Sequence, residues 1–325
     1  MAANYSARKT RVDGFDVVKL TDAAHHIEVT VVPALGNNAY SMLVNGKQVL
    51  YSPYETLSQF KAKPVLLGVP LLAPWANRLD EDAFFANGKK FVLNPELGNL
   101  RYDQNHLPIH GLVVFTDRWK VTGMRTDSNG AQVTSRLDFW KYPDWMAQFP
   151  FAHSIEITHK LADGILEVRL AISNASEDTM PVSAGFHPYY QITDAARDDW
   201  RVHLPVRSHY ILSNKLIPTG ETKPVDFPDP LRLADHQLDD VFGDLIAGDE
   251  FSVQGKTQRI SIRFGPKYHV AVVYAPPGRN FICFEPMTGI TNAFNLAHSG
   301  VYKDLQTILP GGSWEESFWI RPSGY

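Results

Sequence analysis

The sequence predicts an all-β protein, one large antiparallel β-sandwich with few and short helices. Three observations carry that expectation. Short apolar segments, alternating or continuous, recur along the chain. Gly, Pro, Asn or Asp bounds each of them. The 22 Pro and 22 Gly also suit many short connections.

In chain order, strands are expected at 26–33 (HIEVTVVP), 38–45 (NAYSMLVN), 89–94 (KKFVLN) and 131–140 (AQVTSRLDFW). They are also expected at 154–161 (SIEITHKL), 164–173 (GILEVRLAIS), 259–265 (RISIRFG), 269–276 (HVAVVYAP) and 316–322 (ESFWIRP). Asp163-Gly164 sits between two of these runs and signals a hairpin. Helical patterns are confined to 53–61 (PYETLSQFK) and 300–309 (GVYKDLQTIL). No repeat, low-complexity tract or Gly/Ser-rich linker divides the chain. The Pro-rich stretch 214–232 reads as a long surface connection, so residues 1–325 are expected to form a single domain.

Composition narrows the function. With 44% hydrophobic and 20% charged residues the chain is globular in type. Its net charge is −4, and it lacks the basic stripe of a nucleic-acid binder. No apolar run is long enough to span a membrane, and MAANYSARKTRVDGF has no signal-peptide core. A single cysteine, Cys283, cannot form an internal disulfide. Together these predict a cytoplasmic location. Oligomeric state is not encoded in any feature of the sequence.

Five positions are unusual for a purely structural β-protein. Arg78, after Asn77 in PWANRL, can fork onto hydroxyls or a carboxylate, although an arginine at a strand end more often points to water. His110 in LPIHGL is either a turn histidine or a group set close to a ligand. His106 lies four residues earlier, a ligand spacing on a helix, but the intervening Pro108 opposes a helix, and no metal is expected. His187 in SAGFHPYYQI has a proton to exchange near neutrality and aromatic walls beside it, or is simply a hydrogen-bonded core histidine. Asp239 and Asp240 in HQLDDVF could bind a polyol hydroxyl, though residue type favours a turn cap. Glu285 follows Phe281-Ile282-Cys283-Phe284, which reads as a buried strand with the carboxylate at its tip. Period-2 geometry places Phe281, Cys283 and Glu285 on one face, an aromatic floor with a carboxylate at its rim. Nucleophile elbow, HExxH, P-loop and dinucleotide-binding patterns are all missing. A mid-strand Cys283 has no activating neighbour in sequence.

Between about Leu67 and Gly312, seven segments in order resemble the aldose 1-epimerase (galactose mutarotase) family. They are ANRLDEDAFFANGKKFVL, IHG, FHPYYQI, IPTGE, LDDVF, CFEPMTGITNAFN and ILPGGS. The resemblance implies a β-supersandwich with an open sugar groove and no cofactor. It implies Glu285 as catalytic base and His187 as general acid. Anomer exchange needs two such proton carriers, and they are expected to face each other across a pyranose-sized gap. It also implies that His110, Arg78, Asn77 and Asp239 hold the sugar, with Asp239 chosen because it lies three residues before Phe242. Tyr189 or Trp75 could stack on the apolar face of the ring. The sequence departs from the family in two ways. HGLVVF lacks the double glycine common in galactose mutarotases, and Val114 stands where relatives acting on hexose 6-phosphates carry an arginine. Arg101 and Arg118 remain as alternative partners for a phosphate. The expected substrate is a free aldohexose. The alternatives are a hexose 6-phosphate or a sugar-binding protein without turnover.

Overall fold

The computed structural model describes residues 4–325. Strands dominate it. A nine-stranded antiparallel sheet runs, in spatial order, through Leu231–Arg232, Arg201–His203, Phe251–Gln254, Arg259–Phe264, Ser313–Ser323, Ile165–Asn174, His153–Ala162, Gly130–Asp138 and Lys120–Asp127. An eight-stranded sheet runs through Pro218–Pro224, Val206–Leu212, Leu238–Leu245, Val270–Ala275, Ile282–Met287, Gly185–Phe186 and Leu71–Leu72. Tyr189–Tyr190 adds to it by pairing with Ile282–Met287. A five-stranded sheet of Tyr5–Val12, Phe15–Asp22, Ile27–Val32, Asn38–Val44 and Lys47–Gln48 flanks them.

All the segments read as strands are strands. Asp163 and Gly164 both have left-handed backbones, with φ of 49° and 75°, and close the expected hairpin between His153–Ala162 and Ile165–Asn174. Asp13-Gly14 does the same between Tyr5–Val12 and Phe15–Asp22, at φ of 51° and 84°.

The Ile282–Met287 strand shows how the layers form. Ile282 and Phe284 point toward the nine-stranded sheet, where the Phe284 and Phe251 rings lie 5.6 Å apart. One continuous buried cluster extends from Tyr5 through this interface to Ile320. Cys283 points to the opposite face, among Tyr189 and Phe281. Burial on both faces explains why this strand reads as an unbroken apolar run.

Three expectations need correction. The 53–61 helix exists as Leu57–Ala62, started by a Thr56 capping box with Gln59. The helix expected over 300–309 does not form. Ala293–His298 is helical instead and is followed by Gly300 at φ 79°, while Gln306–Ile308 pairs as a strand with Met180–Val182. The 214–232 stretch is not wholly irregular, because Pro218–Pro224 forms the edge strand of the eight-stranded sheet. It pairs on one side only, where proline is tolerated.

Candidate active site

The free face of the eight-stranded sheet forms the floor of a cleft of about 310 Å³, within the size range of small-ligand sites. Asn77, Arg78, His110, His187, Asp239 and Glu285 all line it. Sequence distance hides this grouping, and strand register produces it. Tyr189 pairs with Cys283 and Gly185 with Met287, so the same register sets His187 opposite Glu285. Val272 lies on the other side of Glu285, and Asp239 pairs with Tyr274 one row away. Residues two apart share a face, so Asp239 and Glu285 emerge together.

Glu285 is not at a strand tip. It lies inside Ile282–Met287 and is 1% exposed. Its Oε1 is 3.2 Å from His187 Nε2, while its Oε2 has no partner. The acid and the imidazole are therefore neighbours, and no pyranose-sized gap separates them. Burial pushes the Glu285 carboxyl well above its ordinary range, with the Asp239 charge adding and Arg78 opposing. Burial also lowers His187, to about 3, and Arg78 contributes in the same direction. Both shifts favour a neutral pair holding one proton between carboxyl and imidazole. The His187 ring is stacked on Tyr189, with centroids 4.7 Å apart and planes 5° from parallel.

His110 lies edge-on to His187, with ring centroids 5.6 Å apart. Its backbone is left-handed at φ 65°, and its amide donates to the Asn77 carbonyl at 2.9 Å. Gly111 follows at φ 64°, where an added Cβ would lie 2.1 Å from the Ala73 carbonyl oxygen. Glycine is required there by both conformation and space. Burial holds His110 well below the usual imidazole value, with His187, Arg101 and Arg78 adding repulsion.

Arg78 is not a solvent-pointing strand end. Its Nε donates to Asp103 Oδ2 at 2.7 Å, and a terminal nitrogen donates to Asn77 Oδ1 at 2.9 Å. Asp103 also accepts from the amides of Asn105 and Leu107. Burial would raise that carboxyl, but the Leu107 amide and Arg78 hold it below its ordinary value. Sequence reasoning missed Asp103. The Asp-x-Asn turn was the available signal, and nothing local tied it to Arg78, 25 residues away.

Asp239 and Asp240 are in a strand, so neither caps a turn. Asp239 faces the cleft and is raised, mainly by burial. Asp240 points the other way and meets His209 Nε2 at 2.8 Å. Trp75 is buried at 1% exposure, away from the cleft lining, so it offers no stacking surface. Tyr189 and Tyr274 supply the aromatic walls, and Leu216 closes one side from the Pro-rich stretch. Arg118 is committed elsewhere. It forks onto Asp144 at 3.2 and 3.1 Å and lies over the rings of Tyr142 and Trp145.

His187, Cys283 and Glu285 each bring one potential metal-ligand atom within 4.8 Å of the others. Burial keeps the Cys283 thiol well above its usual value, so a cation there must displace a firmly held proton.

A profile described as aldose 1-epimerase matches residues 16–321. The chain belongs to the aldose 1-epimerase family. Among curated proteins it is 21% identical over 262 residues to the uncharacterized protein YphB of Escherichia coli K12, covering 77% of this chain and 82% of that one. Among solved structures, a galactose mutarotase-like protein from Clostridium acetobutylicum superposes with a TM-score of 0.87 at 20% identity, covering 99% of each chain. Galactose 1-epimerase from Lactobacillus acidophilus NCFM gives a TM-score of 0.76 at 16% identity, covering 100% of each. The family's β-rich, galactose mutarotase-like architecture is therefore the fold of this chain, and membership supports an epimerase acting on carbohydrate. No helix in the described residues is long and apolar enough to cross a membrane.

Proposed function

We propose that the protein interconverts the α and β anomers of an aldohexose by acid–base ring opening and closure. The observation that carries this reading is the buried pair of His187 Nε2 and Glu285 Oε1, 3.2 Å apart on the cleft floor.

The chemistry suits an adjacent pair better than an opposed one. A cyclic hemiacetal bonds its C1 to both the hydroxyl O1 and the ring oxygen O5, so the two proton transfers occur side by side. Glu285, as carboxylate, takes the O1 proton. The O1 lone pair forms the carbonyl as the C1–O5 bond breaks, and protonated His187 gives its proton to O5. The open aldehyde turns about C1–C2. Closure then reverses the transfers on the other face of the carbonyl, so protons alone balance the cycle.

One proton is conserved on the pair throughout. It is a carboxylate and imidazolium when the ring is closed, and a carboxyl and neutral imidazole when it is open. Burial favours the neutral form, which is the form present with the open sugar, and the short contact lets the empty site pass between the two. Positioned proton carriers of this kind typically contribute about 10² to 10⁴-fold each.

Arg78, held by Asp103, together with Asn77, His110 and Asp239, supplies hydrogen bonds to the ring hydroxyls. A His110 kept neutral by burial can do so without adding charge. Polarimetry on freshly dissolved α-glucose and α-galactose tests the proposal. An enzyme-proportional acceleration toward anomeric equilibrium is expected. Calorimetric binding without acceleration would leave a carbohydrate-binding protein instead.

A further inference from the structure

We infer that Leu216 is a substrate-contacting residue, an apolar wall that a strained backbone holds against the C–H surface of the bound sugar. This rests on the anomer-exchange reading and adds a binding residue of a different kind from the polar groups already described.

Among the described residues, twelve that are not glycine have left-handed backbones. All but one are asparagine, aspartate or histidine, the types that tolerate this region best. The exception is Leu216, at φ 58°. A bulky apolar side chain is disfavoured there and gains no local hydrogen bond in return. The turn fixes it all the same. The Leu216 amide donates to the Ser213 carbonyl at 2.9 Å, and the Ser213 amide donates to the Ile217 carbonyl at 2.8 Å. Ser213 Oγ accepts from the amides of Lys215 and Ile217, both at 3.3 Å. Glycine or asparagine would fill the same turn without strain.

Core packing does not account for the leucine. Leu216 is half-buried, and it belongs neither to a buried apolar cluster of the described residues nor to the side chains packed against one. Leu212, at the start of the same turn, does pack on such a cluster. What Leu216 lines is the cleft. Strained residues persist where their surroundings over-determine them, and they gather at ligand sites.

Position gives the wall its role. The hairpin of Val206–Leu212 and Pro218–Pro224 forms one end of the eight-stranded sheet, beside the Leu238–Leu245 strand that carries Asp239. The other end is Leu71–Leu72, from which the chain runs on to Asn77 and Arg78. The cleft therefore has a hydrogen-bonding flank and, beyond Asp239, a flank closed by Leu216. A pyranose is divided in the same way, with hydroxyls at its rim and C–H groups between them. Leu216 covers C–H surface on the flank away from Asn77 and Arg78, and it excludes water there.

The test compares Leu216→Gly, Leu216→Ala and Leu216→Met by thermal unfolding and by NMR exchange on galactose and glucose. Glycine and alanine both remove the wall, but only glycine removes the strain. Both should raise KM about tenfold on at least one of the two sugars, with kcat changed less. Leu216→Gly should nevertheless melt above Leu216→Ala, by about 1 to 3 °C. Leu216→Met, which restores an apolar chain, should recover most of the lost affinity. Unchanged KM in both truncations, or a Leu216→Gly protein that melts no higher than Leu216→Ala, overturns the inference. Calorimetric titration with the same sugars separates this from a failure of the epimerase reading. If the wild type exchanges no sugar, weaker binding by Leu216→Gly than by wild type still supports the wall, whereas equal or undetectable binding refutes it.

Discussion

Three buried histidines invite comparison. His153 and His159 lie in one strand of the nine-stranded sheet, and His187 lies at the cleft floor between the Gly185–Phe186 and Tyr189–Tyr190 strands of the eight-stranded sheet. Burial lowers all three, to about 4, 3 and 3. By burial and titration alone they are the same kind of residue. They differ in what stands next to them. His153 Nδ1 is satisfied by the Phe151 carbonyl, and His159 has no hydrogen-bond partner on either nitrogen. His187 has a carboxyl at 3.2 Å and an opening to solvent-sized space above it. A perturbed histidine is thus common in this fold, and a proton-sharing one in a cleft is what distinguishes a site.

The comparison yields graded tests. The largest effect is expected from His187→Gln, which should lower kcat for anomer exchange by about 10² to 10⁴-fold. Because the pair acts as a unit, adding Glu285→Gln should cost little more than the worse single change. Fully additive losses in kcat would show two independent groups. His159→Leu should leave exchange rates within about twofold, since His159 lies outside the cleft. A comparable loss there would erase the distinction between the two sheets.

Asp103→Asn comes next. It weakens the hold on Arg78 without touching the proton pair, so KM should rise about tenfold with kcat changed less. An equal fall in kcat would place Arg78 in the chemistry as well as in binding.

The smallest effect is on stability. Between pH 6.5 and about 3 the unfolded chain protonates His159 and the folded chain does not. That contribution is therefore complete above 6.5 and is lost as pH falls through the window, by about 2 kcal/mol at pH 5. His159→Leu should shrink the wild-type stability drop between pH 7 and pH 5 by about that amount in urea titrations. An unchanged drop would mean that His159 titrates alike in both states. For catalysis the same logic places the acid limb of kcat/KM below 6.5, because a second proton on the pair is opposed by burial.

Much of the fold was legible because the period of two and the Asp-Gly turn are local signals. Asp163-Gly164 marks one hairpin in this way, and Asp13-Gly14 carries the same signal for the first hairpin. The misplaced C-terminal helix shows the limit. The apolar spacing of 300–309 fits a helix or a bridging strand, and pairing with Met180–Val182 decides between them. At the site, motif order brought together Asn77, Arg78, His110, His187, Asp239 and Glu285, all of which are among the residues lining the cleft. Residue type alone would have placed Arg78 in water and Asp239 in a turn cap, because neither Asp103 nor the Leu238–Leu245 strand is visible from the residues themselves. The contact between His187 and Glu285 was likewise out of reach. It follows from a register shared by strands about 100 residues apart in sequence, and local pattern carries no information about register across such a distance.

The most direct measurement is two-dimensional exchange NMR on an equilibrium mixture of α- and β-hexose, with wild type and Glu285→Gln at equal concentration, both checked for native near-UV dichroism. The account predicts cross-peaks that build up in proportion to wild-type enzyme, with a rate at least 10² lower in the variant. Equal exchange in the two proteins would contradict it.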